Sequence, residues 1–151
     1  ENAGWTVAKY LLGHERMNTG RIGASKRELA KLKEFAAQQP GNGKSLMQDA
    51  RFRDKLSRLE VELMALEITN LRFLDRMRRT GQPPGADVSM LKIKGTEIQQ
   101  ALTELAMQAA DPNARESQAL ERRYLDMRKT TIYAGSNEIQ RNIIAKMTLG
   151  L

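Results

Sequence analysis

Residues 56–77 read LSRLEVELMALEITNLRFLDRM, and the spacing of their apolar positions decides the fold class. Leu56, Leu59, Leu63, Leu66, Phe73 and Met77 recur three or four places apart and line one seam of a helix. Val61, Met64, Ile68 and Leu71 line a second seam beside it. A helix with two apolar seams is expected to be buried over a wide face. The pattern predicts a helix from about Met47 to Arg79 that needs more than one neighbour.

The neighbours lie on both sides, marked off by chain breakers. Gln39-Pro40-Gly41-Asn42-Gly43 precedes the long helix and Gly81-Gln82-Pro83-Pro84-Gly85 follows it. Upstream, one helix is predicted from Gly4 to Gln38, its early stripe made by Ala8, Leu11, Leu12, Thr19 and Ile22. Downstream, Asp87 is placed to cap a third helix, which carries Val88, Leu91, Ile98, Leu102, Leu105 and Ala109 and stops at Asp111-Pro112-Asn113. A shorter piece runs from about Glu116 to Arg128. A last helix starts at Ser136 and carries Ile139, Ile143, Ile144 and Met147 before Gly150. No segment alternates with period two. Long helices on short connections favour antiparallel neighbours, so the expected architecture is all-α: an up-and-down four-helix bundle with an extra short C-terminal helix.

Composition agrees with this and removes several chemistries. A chain of 151 residues with 40% apolar content is one domain with a real core, and with 5% aromatics that core is aliphatic, its eight methionines serving as adaptable filler. The absence of cysteine excludes disulfides and thiolate catalysis and suits a reducing compartment. One histidine excludes a histidine-based metal site within the chain. A formal charge of +7 suits anionic partners, or simply a solvated basic surface. Few aromatics and no recognition motif argue against nucleic acid, and no apolar run is long enough to span a membrane. The opening Glu1-Asn2-Ala3-Gly4-Trp5 reads like a cut inside a longer chain.

Three places could carry chemistry. His14-Glu15-Arg16-Met17-Asn18 begins like a zinc-protease motif, but residue 18 is not the second histidine that motif needs. Glu15 falls in the middle of the arc formed by Ala8, Leu11, Leu12, Thr19 and Ile22 on a helical wheel. A carboxylate there is either paired with an arginine from another helix or is a general base whose pKa is raised by burial. Gly135-Ser136 supplies a tight turn and a helix cap, and Glu138 complements the helix dipole. The exposed N–H groups of such a helix start can hold a phosphate or a polar ring edge, or the turn can be no more than a well-capped helix.

The closing string IYAGSNEIQRNIIAKMTLGL, residues 132–151, resembles the C-terminal signature of acyl-CoA dehydrogenases, a pattern like IYEGTNEIQRNIIAR. GWTVAKYLLGHER, residues 4–16, is similar to the first helix of that family's C-terminal domain. The resemblance covers the whole chain and is most specific at its two ends. It implies the C-terminal four-helix domain of a subunit whose N-terminal helical and middle β domains are absent from this chain. Such enzymes use FAD to oxidise an acyl-CoA to the trans-2-enoyl-CoA, a glutamate removing the α-proton while the β-hydride goes to the flavin. They commonly pass electrons to an electron-transfer flavoprotein and assemble as homodimers or homotetramers, in the cytoplasm of bacteria or the mitochondrial matrix. The isolated domain is expected to be folded but inactive.

Residue by residue, the resemblance assigns Glu15 as the base, since the glutamate of the IYEGT pattern is replaced here by Ala134, and a subset of the family places its base on the first bundle helix beside an arginine, as Glu15-Arg16 does. It puts Gly13, His14, Arg16 and Gly135 beside the acyl thioester, and Ser136, Asn137 and Glu138 beside FAD. Two flavin-binding elements of the family have no counterpart: residues 38–49 read QQPGNGKSLMQD and residues 107–116 read MQAADPNARE. Those departures, with Ala134, leave a second reading in place: a non-catalytic partner subunit of a heteromeric acyl-CoA dehydrogenase.

Overall fold

The computed structural model describes residues 3–41, 44–111 and 117–151. The long helix is present as α3 (Ala50–Thr80). Asp49 starts it by accepting the Phe52 N–H on Oδ1 at 2.8 Å, and Gly81, at φ 64°, ends it by returning its N–H to the Met77 carbonyl at 2.9 Å. Of its two seams only the first is buried in this chain: Phe52, Leu56, Leu59, Leu63, Leu66 and Phe73 belong to the core. Val61, Met64, Ile68, Leu71 and Leu74 face outward, Val61 at 64% exposure. The wide face expected from the sequence is thus half covered, and the neighbours within the chain fill only one side.

The predicted first helix is two helices. α1 (Gly4–Glu15) passes into a 3₁₀ turn at Arg16–Asn18, and α2 (Ile22–Gln38) starts afresh. Arg21 bridges them in the left-handed region, φ 45°. The break has a packing cause. Gly20 lies against Gly95 in the middle of α4 (Ser89–Ala109), and a Cβ built on Gly95 would stand 2.5 Å from the Gly20 Cα and 2.6 Å from its carbonyl oxygen. Two backbones meet there without side chains between them, and the glycine that allows the approach is also a poor helix former. The weak helix formers Asn18 and Gly20 were the visible sign of it.

α4 is the hub. Leu91, Ile98, Leu102 and Leu105 are core residues, and the helix packs against α2, α3, α5 (Ser117–Met127) and α6 (Asn137–Thr148). Asp87 does not cap α4 as expected. It lies in a 3₁₀ turn, Ala86–Val88, and takes both guanidinium nitrogens of Arg76 at 2.8 and 3.0 Å, fastening the end of α3 to the start of α4. Ion pairs Lys26–Glu67 (2.9 Å) and Lys33–Glu60 (2.7 Å) lie along the α2–α3 contact. The architecture is the all-α bundle read from the sequence, with a two-residue antiparallel pairing of Pro40–Gly41 and Lys44–Ser45 in the α2–α3 connection. Among the described residues no helix is long and apolar enough to cross a membrane.

The Gly20–Gly95 approach gives a direct test. Gly95→Ala puts a methyl group into backbone that has nowhere to go, and overpacking of this kind destabilises by about 2–3 kcal/mol. Urea denaturation should show that loss. A change within about 0.5 kcal/mol, the usual surface effect, would mean the two helices separate easily.

Candidate functional site

The site is built where α4 holds the segment between α5 and α6. Lys92 is 3% exposed, inside the bundle. Its Nζ donates to the Thr130 carbonyl and to Asn137 Oδ1, each at 3.0 Å. Asn137 Nδ2 in turn donates to Thr96 Oγ1 at 3.1 Å, and that hydroxyl donates to the Lys92 carbonyl at 2.9 Å. Burial pushes the Lys92 ammonium below the usual lysine range, while the charge of Glu138 pulls it back up. One step further along α4, Gln100 Nε2 donates to the Arg128 carbonyl at 3.1 Å, and the Arg128 guanidinium returns to the Gln100 carbonyl and Thr103 Oγ1 at 3.0 Å. Both ends of residues 128–137 are therefore pinned to α4 through charge-assisted hydrogen bonds.

Between the pins the chain turns sharply. Ala134 and Gly135 both have positive φ, 56° and 84°. Glycine suits residue 135 because side chains rarely adopt that angle. Ser136 then caps α6 by accepting the Ile139 N–H on Oγ at 3.4 Å, as its position in the sequence predicted. The Glu138 carboxyl is held below the usual carboxylate range by its own backbone N–H and by the Ser136 hydroxyl, with Arg141 and Lys92 adding to the effect.

Below this turn lies a cavity of about 420 Å³. Glu15 and Asn18 wall it from the end of α1, Ala134 and Tyr133 from the turn, and Lys92 from α4. The structure thus brings Glu15 and Ala134, far apart in sequence, to one cavity. Glu15 itself is exposed rather than buried. The helical-wheel argument for its burial fails because the helix ends there, so Thr19 and Ile22 do not continue its arc. Leu11, at 55% exposure, does not bury that arc either. Gly13, His14 and Arg16 have helical backbone, but their side-chain environments lie outside the described ones. Asn137 is buried, its side chain taken up by Lys92 and Thr96, whereas Ala134, Gly135 and Glu138 are exposed.

A match to the family model "Acyl-CoA dehydrogenase, C-terminal domain" spans residues 2–149. The chain belongs to the acyl-CoA dehydrogenase family. Over 98% of its length it is 34% identical to the acyl-CoA dehydrogenase IpdE1 of Mycobacterium tuberculosis, of which it covers 38%. Among solved structures it superposes on an acyl-CoA dehydrogenase from Geobacillus kaustophilus with TM-score 0.83 and 25% identity, covering 100% of this chain and 40% of that one. It also superposes on the ChsE4–ChsE5 complex from Mycobacterium tuberculosis with TM-score 0.76 and 27% identity, covering 100% and 42%. The chain therefore spans about two fifths of the length of these relatives.

Sequence reasoning missed Lys92. The signal was present: Lys92, Gly95, Gln99 and Thr103 follow Val88 at three- and four-residue steps down a helix, a stripe of lysine, glycine, amide and hydroxyl where a core stripe would be aliphatic. Lys92→Met should leave the Thr130 carbonyl and the Asn137 amide without their donor. A buried neutral acceptor left without its donor costs about 1–3 kcal/mol, partly offset because the ammonium is no longer buried. Melting curves should show that loss, and amide exchange should speed up most across residues 130–140. Unchanged exchange there would mean the turn is held by something other than the lysine.

Proposed function

We propose that this chain is the substrate-facing helical domain of an FAD-dependent acyl-CoA dehydrogenase, and that Glu15 is its base. The convergence of Glu15 and Ala134 on one cavity carries the reading. In the signature that residues 132–151 resemble, the position of Ala134 bears the catalytic glutamate. A carboxylate on the opposite wall can reach the same substrate atom from the end of α1. Glu15 takes the proton from the α-carbon of the acyl thioester, the electron pair of that C–H bond forms the α,β double bond, and the trans-2-enoyl-CoA results. Bound FAD would supply the acceptor for the hydride from the β-carbon. Gly13, His14, Arg16 and Gly135 border the thioester in this reading. Exclusion of water from Glu15 falls to parts of the subunit beyond this chain, since the carboxylate is exposed here.

The residues at the start of α6 fit one edge of a flavin. The exposed Ala134-Gly135 backbone leads into a capped helix start, a place suited to a polar ring edge. Ser136 Oγ is engaged as the cap and its hydroxyl meets Glu138, so in this reading Ser136 and Asn137 contribute through their main chains and Glu138 through its exposed carboxylate. The domain arrangement implied is an N-terminal helical and a middle β domain completing the flavin cleft, with an electron-transfer flavoprotein as acceptor. The outer seam of α3, Val61, Met64, Ile68 and Leu71, is assigned to a second copy in a homodimer or homotetramer, since an apolar stripe of this length is unusual on a monomer surface.

Two experiments bear on the reading. In the full-length protein, Glu15→Gln should keep the fold and slow flavin reduction by acyl-CoA roughly 10²–10⁴-fold. Adding Ala134→Glu should restore part of the rate, because both positions reach one cavity. Reduction at the parent rate in Glu15→Gln, measured by stopped flow, would remove Glu15 as the base, whereas a parent protein that acyl-CoA does not reduce at all would favour the partner-subunit reading, in which Ala134 marks a site that has lost its acid. For assembly, Ile68→Glu should shift sedimentation to a smaller species at tens of micromolar. An unchanged profile would place the interface elsewhere.

A further inference from the structure

Glu15 and Ala134 wall one cavity, and a single turn of α4 registers both walls. Gly95 receives the backbone of Gly20, shortly after α1 ends at Glu15. A Cβ built on Gly20 would stand 3.3 Å from the Leu91 carbonyl oxygen, so the approach is close from that side too. Lys92 lies three residues before Gly95 and therefore on the same face of the helix. From there its Nζ reaches the Thr130 carbonyl and Asn137 Oδ1, the two flanks of the turn that carries Ala134. Three residues rise about 4.5 Å along a helix. The gap between the end of α1 and the turn before α6 is thus set over a short length of one rigid element.

Stability alone does not explain a lysine at this place, because replacing buried charged groups by well-packed apolar ones is often neutral or stabilising. What the lysine adds is a fixed arrangement. Thr130 and Asn137 are 1% and 3% exposed, so the flanks of the turn have no water to turn to. Ala134 and Gly135 hold positive φ between those flanks, a conformation that persists only where the surroundings determine it. Lys92, Thr96 and Thr130 themselves line the cavity, so the network is part of its wall. A misplacement of about 1 Å in a reacting site costs about 10²-fold in rate. We propose that Lys92 is a positioning residue for proton abstraction: through Thr130 and Asn137 it holds the Ala134 wall at the separation from Glu15 that an acyl α-carbon requires. This rests on the acyl-CoA reading above and adds to it a residue that acts through the turn.

Rate and stability separate positioning from a role in folding. The full-length protein is saturated with 3-thiaoctanoyl-CoA in D₂O, and exchange of the α-protons is followed by mass spectrometry. Sulfur at the β-position leaves no hydride to transfer, so proton abstraction is read alone. Lys92→Met should slow exchange at saturation about 10²-fold. Asn137→Ala keeps the lysine but removes one of its two acceptors, and should slow exchange by at least about tenfold. Leu105→Ala, in the aliphatic core of the same helix, should lower the melting temperature further than Lys92→Met yet leave exchange within about twofold of the parent. Parent-rate exchange in Lys92→Met would overturn the proposal. So would a Leu105→Ala protein slowed as much as the lysine variant, since the loss would then follow stability. A loss in Lys92→Met with none in Asn137→Ala would overturn it as well, by placing the ammonium's effect on the ligand directly. If Lys92→Met does not fold, Asn137→Ala against Leu105→Ala decides. A parent protein that exchanges no α-proton sinks the acyl-CoA reading itself, and the role of Lys92 falls with it.

Discussion

A single buried ammonium organises the end of the bundle that faces the site. Lys92 reaches from α4 to the Thr130 carbonyl and the Asn137 side chain, the two ends of the turn that carries Ala134 and Gly135. Burying that charge is unfavourable, and its two acceptors, with the nearby charge of Glu138, offset the penalty only in the native arrangement. The turn therefore has one conformation or the network fails. Two consecutive residues at positive φ, one of them an alanine, are tolerated because both flanks are tied down.

α4 supports the rest in the same way. Its aliphatic stripe fills the core, its glycine admits the backbone of residue 20, and its polar stripe holds residues 128–137 and lines the cavity of Glu15 and Ala134. Helix, break and turn are thereby set against one rigid element. That is how a residue at the end of α1 and a residue before α6 come to share a cavity although more than a hundred residues separate them.

Much of the architecture was legible because it follows from period and punctuation. The seam from Leu56 to Phe73, the breakers at Pro40–Gly41 and Gly81, and Ser136 as a cap each act through local chemistry, and each appears where the pattern put it, Asn42 and Gly43 lying outside the described residues. What the pattern could not supply was pairing between distant groups. Asp87 has the chemistry of a cap but found Arg76 instead. Glu15 was central on an ideal wheel, but the wheel assumed a helix that in fact ends at Glu15, and the exposed result follows. The outer seam of α3 is apolar in the sequence and bare in the chain, so a single-chain reading overestimates its burial. The meeting of Glu15 with Ala134 was expected from family resemblance alone, since no spacing rule connects positions on separate elements.

The contact between Gly20 and Gly95 also has a mechanical side. With no side chains between them, the two backbones form a bearing, and α1 extends from it as an arm whose Trp5, Val7, Tyr10 and Leu11 are bare in this chain. Glu15 stands close to the bearing, while Trp5 lies about 15 Å farther out along the helix. A small tilt of the arm sweeps the tryptophan through a wide arc and scarcely moves the carboxylate. Contacts made along the outer part of α1 therefore lie well away from the cavity that Glu15 shares with Ala134.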